Sequence, residues 1–413
     1  MNKKKIFNDP IYGLIRFDYE ILYKIIDHPY FQRLRRISQQ ALSHLIYPGA
    51  MHTRFQHAIG ALYLMTKALD TLKSKGCKIS DLEYEAACIA ILLHDVGHGP
   101  FSHALEQSII DFHHEEVSLL VIAKIGLELN HDFSLAISIY KGDYHRKFLT
   151  SLVSGQIDVD RMDYLMRDSY FSGVTEGIIG YDRIIMMMNV VDDQLVIEEK
   201  GMASIEYFLI SRRQMYWQVY LHKTVISAEV MLTSILQRAK YLVQQGVIIA
   251  VSEDLRILLE GKENIATNEK NGNTNDPEFT EKHMIKHFLK IDDTDIYWLL
   301  KQSVGHKDRI LSLLCGNLLE RKLFKVSLQI PEIKFSKVDY KNEFILNNGL
   351  SSLDQKYFFI TKNETIESYS SLKDEIVIIS KNGKLRKLSS VSSFIKNLPI
   401  ENLYFYCYPE LKK

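Results

Sequence analysis

The sequence predicts a mostly α fold: a helical core followed by a smaller α+β C-terminal lobe. Three observations predict it. Apolar residues recur at the helical period from Tyr19 to about Lys240. Beyond residue 322 that period gives way to short runs of β-branched and aromatic residues. With 413 residues, 46% of them hydrophobic and 25% charged, the chain can bury a large core divided into two or three lobes.

The elements follow in order. Pro29 sits at the first position of a helix through Tyr30–Ile37. The stretch from His52 to Gly60 opens a helix that continues past Met65. Leu82 to His94 is an apolar helix stopped by Gly97, and the stretch from Asp158 to Asp168 is helical in character. Met202 to Gln244 reads as one or two long helices ending at Gly246. Residues 261–280 are polar and Asn-rich, which predicts a loop, and helical pattern resumes from Glu281 to about Lys322. Leu323–Ile330, Glu375–Ser380 and Leu403–Tyr408 are β-like. The expected organisation is an N-terminal segment (1–50), a helical core (51–240), a helical extension carrying the polar loop (241–322) and the α+β lobe (323–413).

Composition excludes several classes. Lys+Arg and Asp+Glu both number 51, so no global field draws the chain to nucleic acid as a main partner or to a membrane. The cysteines Cys77, Cys88, Cys315 and Cys407 are spread with no CxxC, which disfavours a disulfide framework or a thiolate zinc site. The segment Met1–Asp9 lacks the apolar stretch of a signal peptide, and no run of 18 apolar residues occurs. A cytoplasmic location is the expectation.

The chemistry gathers around His94-Asp95. This pair ends the apolar run Ala90-Ile91-Leu92-Leu93, and Val96-Gly97-His98-Gly99-Pro100 follows at once. A buried imidazole and carboxylate side by side cost several kcal/mol unless paired or coordinated. A divalent metal answers that need. His57 upstream and Asp160 downstream complete a set of two imidazoles and two carboxylates drawn from three helices. Eight of the fifteen histidines fall between His44 and His114, a clustering that scatter does not explain. His44 and His52 read as core or surface histidines. Asp160, Tyr164 and Asp168 share one helical stripe, which turns an aromatic ring and a carboxylate to the cavity that Asp160 faces.

In order, the segments Asp9-Pro10-Ile11-Tyr12-Gly13, Ile26 to Arg35, Tyr47-Pro48-Gly49-Ala50, Thr53 to His57, His94-Asp95, Phe101-Ser102-His103, His114-Glu115, Asp158 to Tyr164 and Tyr220-Leu221-His222-Lys223 resemble the HD-domain metal-dependent phosphohydrolases. The similarity is to their deoxynucleoside triphosphate triphosphohydrolase branch and covers roughly the first 240 residues. It implies an HD phosphohydrolase core at 51–240 that binds one divalent ion (Mn, Fe, Co, Ni, Zn or Mg) on His57, His94, Asp95 and Asp160. It implies His103 and His114 as catalytic histidines assisted by Glu106. Gln39, Arg54, His98, Arg161, Tyr164, Asp168, Arg212 and Lys223 fall at substrate-binding positions, Tyr164 and Asp168 against the sugar. Asp27, Gln32 and Arg35 match a guanine-reading activator site between subunits, so a homo-oligomer, dimer or tetramer, is implied. Two departures bear on activity and base preference: Glu106 replaces the usual Asp, and Gln40 replaces the usual Leu. The expected reaction is metal-dependent hydrolysis of deoxynucleoside triphosphates to deoxynucleoside and tripolyphosphate. The competing readings are another HD phosphohydrolase, a nucleotidase or cyclic-nucleotide phosphodiesterase, and a catalytically weak nucleotide-binding regulatory scaffold.

Overall fold

The computed structural model describes residues 5–106, 108–110, 112–261, 277–328, 338–367, 369, 375–395 and 400–410. Helices dominate. An N-terminal hairpin, β1 (Phe7–Asp9) and β2 (Gly13–Ile15), precedes α1 (Glu20–Asp27) and α2 (Pro29–Gln32). The central bundle contains α3 (Arg54–Ser74), α4 (Asp81–Leu93), α5 (Ser102–Glu106), α6 (His114–Glu128), α7 (Ser134–Tyr140), α8 (Lys147–Ser154), α9 (Val159–Ser172) and α10 (Tyr181–Met187). Next come α11 (Met202–Met215) and α12 (Lys223–Gln244), separated by a π-helical turn over Tyr216–Tyr220. The path bends by 59° there, so the long helical pattern is two helices. Among the described residues no single helix is long and apolar enough to cross a membrane. Further helices are α13 (Glu253–Glu260), α14 (Pro277–Phe288), α15 (Asp293–Ser303) and α16 (Arg309–Leu319). Residues 262–276 of the expected polar loop lie outside the described residues, while 277–280 form the first turn of α14, with Pro277 at a helix start that tolerates its missing N–H.

The helix that carries His94-Asp95 shows why these sequences fold as they do. Ser80 and Glu83 form a capping box at the start of α4: Ser80 N donates to Glu83 Oε2 at 2.9 Å and Glu83 N donates to Ser80 Oγ at 3.3 Å. From Ala86 to Leu93 every residue is buried. A helix that is apolar all round belongs in a core. Each fully buried leucine there, such as Leu92 and Leu93, contributes about 1.5–3 kcal/mol.

The strands depart from the sequence pattern. β3 (Met188–Val191) and β4 (Gln194–Glu198) form a hairpin inside the stretch expected to be helical. The helical period there is too short to be told from alternation, and Asp192-Asp193, both with φ above 0, make the turn. β4 then pairs in parallel with β7 (Val377–Ile379), and β8 (Leu385–Lys387) closes the sheet in the order β3-β4-β7-β8. A second sheet has the order β5-β9-β6, from β5 (Lys325–Ser327), β6 (Ile360–Glu367) and β9 (Ile400–Tyr408). Each of the three expected β-like runs thus contributes strand residues, Leu323–Ile330 only through Lys325–Ser327, with its residues 329–330 outside the described residues.

Candidate metal centre and active site

Three helices converge on one point. His57 projects from the first turn of α3, His94 caps the C-terminus of α4, and Asp160 lies in the first turn of α9, which Asp158 caps by accepting from Arg161 N at 2.7 Å. Close approach of α9 to α3 depends on Gly60, one turn beyond His57. A Cβ there would meet Asp163 Oδ1 at 2.0 Å and Arg167 Nη2 at 2.2 Å. Gly97 serves likewise for α6, since a Cβ would lie 2.2 Å from His114 O.

His57 Nε2 lies 3.1 Å from Asp160 Oδ1 and 3.4 Å from His94 Nε2, and His94 Nε2 lies 3.4 Å from Asp160 Oδ1. Donors bound about 2.0–2.2 Å from one ion stand about 3 to 3.5 Å apart, so this donor set could hold a metal ion. Both imidazoles are braced from behind. His57 Nδ1 faces Asp163 Oδ2 at 2.8 Å, and His94 Nδ1 faces the Ile91 carbonyl at 2.7 Å. These contacts direct the Nε2 lone pairs toward the shared point. Burial opposes protonation of His57, and its hydrogen bonds to Asp160 and Asp163 outweigh burial, raising its pKa to about 10. A metal ion therefore competes with a proton there.

Asp163 is the residue that motif reading missed. It is fully buried and receives Arg167 Nε at 2.8 Å and Nη2 at 2.9 Å. Arg167 Nη1 reaches on to Asp9 Oδ2 at 2.8 Å, so the N-terminal hairpin is tied to His57 through two residues. The signal available in the sequence is the Asp163–Arg167 spacing of four, which also fits an ordinary surface pair.

Asp95 stands between the metal donors and a second group. Its Oδ1 lies 3.4 Å from His94 Nε2 and 3.3 Å from His98 Nε2, and its Oδ2 accepts from Arg54 Nη1. Burial opposes ionisation, but His94, Arg54 and His98 outweigh it and hold the carboxyl well below its ordinary range. His98 stacks on His114 with ring centres 3.9 Å apart and planes at 17°. His114 Nδ1 lies 3.0 Å from Glu106 Oε1. Glutamate at position 106, where the resemblance calls for aspartate, therefore reaches the histidine. Burial, with Arg54 nearby, lowers the His98 pKa to about 3, so its ring is neutral. His103 lies on α5, but its side chain falls outside the described residues.

The other expected substrate residues divide. Arg212 is buried on α11, and its Nε and Nη1 have no hydrogen-bond partner; Gln39 Oε1 is likewise buried without one. Such atoms are costly unless water or a ligand meets them. Tyr164 lies edge-on to Tyr220, ring centres 6.2 Å apart. Asp168 is buried with both oxygens engaged, by His52 Nε2 at 2.7 Å and Tyr220 Oη at 2.8 Å. His52 is thus a buried, hydrogen-bonded histidine, as the sequence reading has it. Arg161 turns back to Asp158 and to the Gly155 carbonyl. Lys223 is exposed at the start of α12.

At the N-terminal segment, Arg35 Nε donates to Gln32 Oε1 at 2.9 Å and its guanidinium lies 3.5 Å over the Phe55 ring. Asp27 pairs with Lys5. Asp27 ends α1 and does not cap a helix start; the cap of α2 is His28, whose Nδ1 accepts from Tyr30 N. Neighbouring Arg33 is buried and donates to the carbonyls of His98 and Ile291, both at 2.9 Å, so it serves the core.

Comparisons with known proteins find related chains. Residues 54–168 match the HD domain and residues 179–253 match the HD associated region. The chain is 31% identical over 418 residues to the uncharacterized protein YwfO of Bacillus subtilis, covering 96% of this chain and 90% of that protein. It is 33% identical over 248 residues to the deoxynucleoside triphosphate triphosphohydrolase SAMHD1 homolog of Dictyostelium discoideum, covering 55% of this chain and 48% of that one. The crystal structure of a phosphohydrolase (BT4208) from Bacteroides thetaiotaomicron superposes with a TM-score of 0.89 at 43% identity, covering 99% of this chain and 100% of that chain.

Proposed function

The chain belongs to the HD-domain phosphohydrolase family, and from that premise we propose that it hydrolyses deoxynucleoside triphosphates to deoxynucleoside and tripolyphosphate, using one divalent metal ion. The observation that carries the reading is the adjacency of two groups: the donor set of His57, His94 and Asp160, and the Glu106-braced stack of His114 on His98. Asp95 links them. Similarity to a protein named as a deoxynucleoside triphosphate triphosphohydrolase supports the substrate class.

His57, His94, Asp95 and Asp160 would hold the ion, which when bound polarises water and neutralises phosphate oxygens. His114, oriented by Glu106, is placed to hand a proton toward the leaving 5′-oxygen, with His103 as a further catalytic histidine. His98 and Arg54 border the phosphates, and Arg212 brings two unpartnered N–H groups suited to phosphate oxygens. Arg161 and Lys223 add charge at the rim. Tyr164 packs the sugar, while Gln39 and Asp168 line its hydroxyl side. In the same reading Asp27, Gln32 and Arg35 receive a guanine nucleotide that favours a cytoplasmic homo-oligomer, and that oligomer hydrolyses faster than the free subunit.

Incubation with each deoxynucleoside triphosphate and Mn²⁺, with and without GTP, tests the reading. Chromatography should resolve deoxynucleoside and intact tripolyphosphate, and ¹⁸O from water should enter the tripolyphosphate. Stepwise release of orthophosphate would refute attack at the α-phosphorus. Tyr164→Ala should lower discrimination against ribonucleotides; an unchanged ratio removes Tyr164 from the sugar. GTP should raise both turnover and mass by light scattering, with both effects lost in Asp27→Ala; indifference to GTP leaves an unregulated hydrolase.

A further inference from the structure

Away from that centre, α13 and α14 assemble another pair of nitrogen donors. His283 and His287 stand four residues apart on α14, hence on one face. Their Nε2 atoms are 3.1 Å apart, and their ring centres are 4.6 Å apart with planes inclined at 53°. A straight N–H···N bond of that length would hold the ring centres more than about 5 Å apart. The rings are instead bent toward each other, so both Nε2 atoms face a common spot beside the helix. For comparison, His57 and His94 have Nε2 atoms 3.4 Å apart and ring centres 5.3 Å apart.

His287 is also braced as metal-binding imidazoles are. His287 Nδ1 faces Asp254 Oδ1, on α13, at 2.6 Å. A carboxylate on Nδ1 fixes the tautomer whose Nε2 lone pair is available and makes that nitrogen a better donor. The same oxygen accepts Lys290 Nζ at 2.9 Å, which holds the carboxylate in place. The His287 side chain is 12% exposed and that of Asp254 27%. His283 is half-buried, so water has access to the remaining coordination positions.

The geometry points to a second metal site: a chelate of a borderline dication (Ni²⁺, Cu²⁺ or Zn²⁺) by the Nε2 atoms of His283 and His287, with Asp254 as its positioning residue. Two imidazoles select these ions over Mg²⁺ or Ca²⁺. Through Asp254 the chelate ties α14 to α13.

The test uses the full chain, stripped with a chelator and then dialysed against Ni²⁺. Wild type should retain one more nickel per chain than His283→Gln/His287→Gln, and the difference should persist when both carry His94→Ala and Asp95→Ala. Asp254→Asn should weaken this binding about 10- to 100-fold. Cu²⁺ titrated into the His94→Ala/Asp95→Ala chain should give a resonance spectrum with two coordinated nitrogens. If the double Gln variant fails to fold, that spectrum and the single His283→Gln variant decide. Equal nickel content, or copper with no nitrogen coupling, would overturn the site and leave an Asp254–His287–His283 hydrogen-bond chain.

Discussion

The two ring nitrogens of His57 face different partners, and that division explains why the candidate metal donors are legible in the sequence while their support is not. Nε2 faces the shared point with His94 and Asp160, and the His…His-Asp…Asp order announces a ligand set. Nδ1 faces Asp163, held in turn by Arg167, whose Nη1 donates to Asp9. Nothing in the spacing of Asp163 and Arg167 separates a buried brace from a surface ion pair, because helix periodicity is identical for both. Burial decides, and burial is a property of the fold. Asp163→Asn keeps the shape but weakens the hydrogen bond that orients His57. Metal affinity should fall about 10- to 100-fold with the far-UV dichroism unchanged. Unaltered affinity by titration calorimetry would show that Asp163 only fills space. At position 106 the extra methylene still reaches His114, so Glu106→Gln should reduce hydrolysis while leaving metal content intact, as elemental analysis can check.

Helices set the distances within the centre. α4 was legible from end to end, because its capping box and its run of apolar residues are both local signals. The packing of α9 on α3 was not, because it turns on the absence of a side chain at Gly60. Gly60→Ala pushes a methyl into Asp163 and Arg167, an overpacking that costs about 1–3 kcal/mol. It should lower the melting temperature and the metal content together; a stable, metal-replete variant would contradict the packing argument. The cap of α4 also makes stability depend on pH. Burial opposes ionisation of Glu83, yet hydrogen bonds from Ser80, Arg146 and Tyr144 outweigh it and lower its pKa from 4.5 to about 2. A carboxyl whose folded-state pKa is depressed stabilises fully above its unfolded pKa. That stabilisation fades as pH falls from about 4.5 toward 2. Thermal melts of Glu83→Gln should show a shallower acid limb across that window than wild type. Parallel acid limbs would show that the cap carries no such linkage.

At the scale of the whole molecule, the late change in sequence texture predicts an α+β lobe, and the strands join it to the central region. Short apolar runs announce strands, but not their partners, because pairing depends on residues far apart in sequence. Val377–Ile379 pair in parallel with Val196–Glu198 of the central region, laying buried Ile378 beside buried Val196 and Ile197. Ser227 Oγ donates to the Phe324 carbonyl at 2.9 Å, and Lys362 Nζ reaches Glu229 Oε2 at 2.9 Å, so α12 is held along the same divide. Arg386 Nη2 reaches Glu199 Oε1 at 2.8 Å. Removing everything after residue 322 would strip β4 of its parallel neighbour and expose an unpaired apolar edge, which invites pairing with other chains. The truncated chain should therefore aggregate or melt well below the full chain. The full chain should unfold in one calorimetric transition, because separating the two regions exposes Val196, Ile197 and Ile378 at once. A truncated chain that stays monodisperse with the full chain's melting temperature, or a full chain that unfolds in two separate steps, would show that the shared sheet is an ornament on independent lobes.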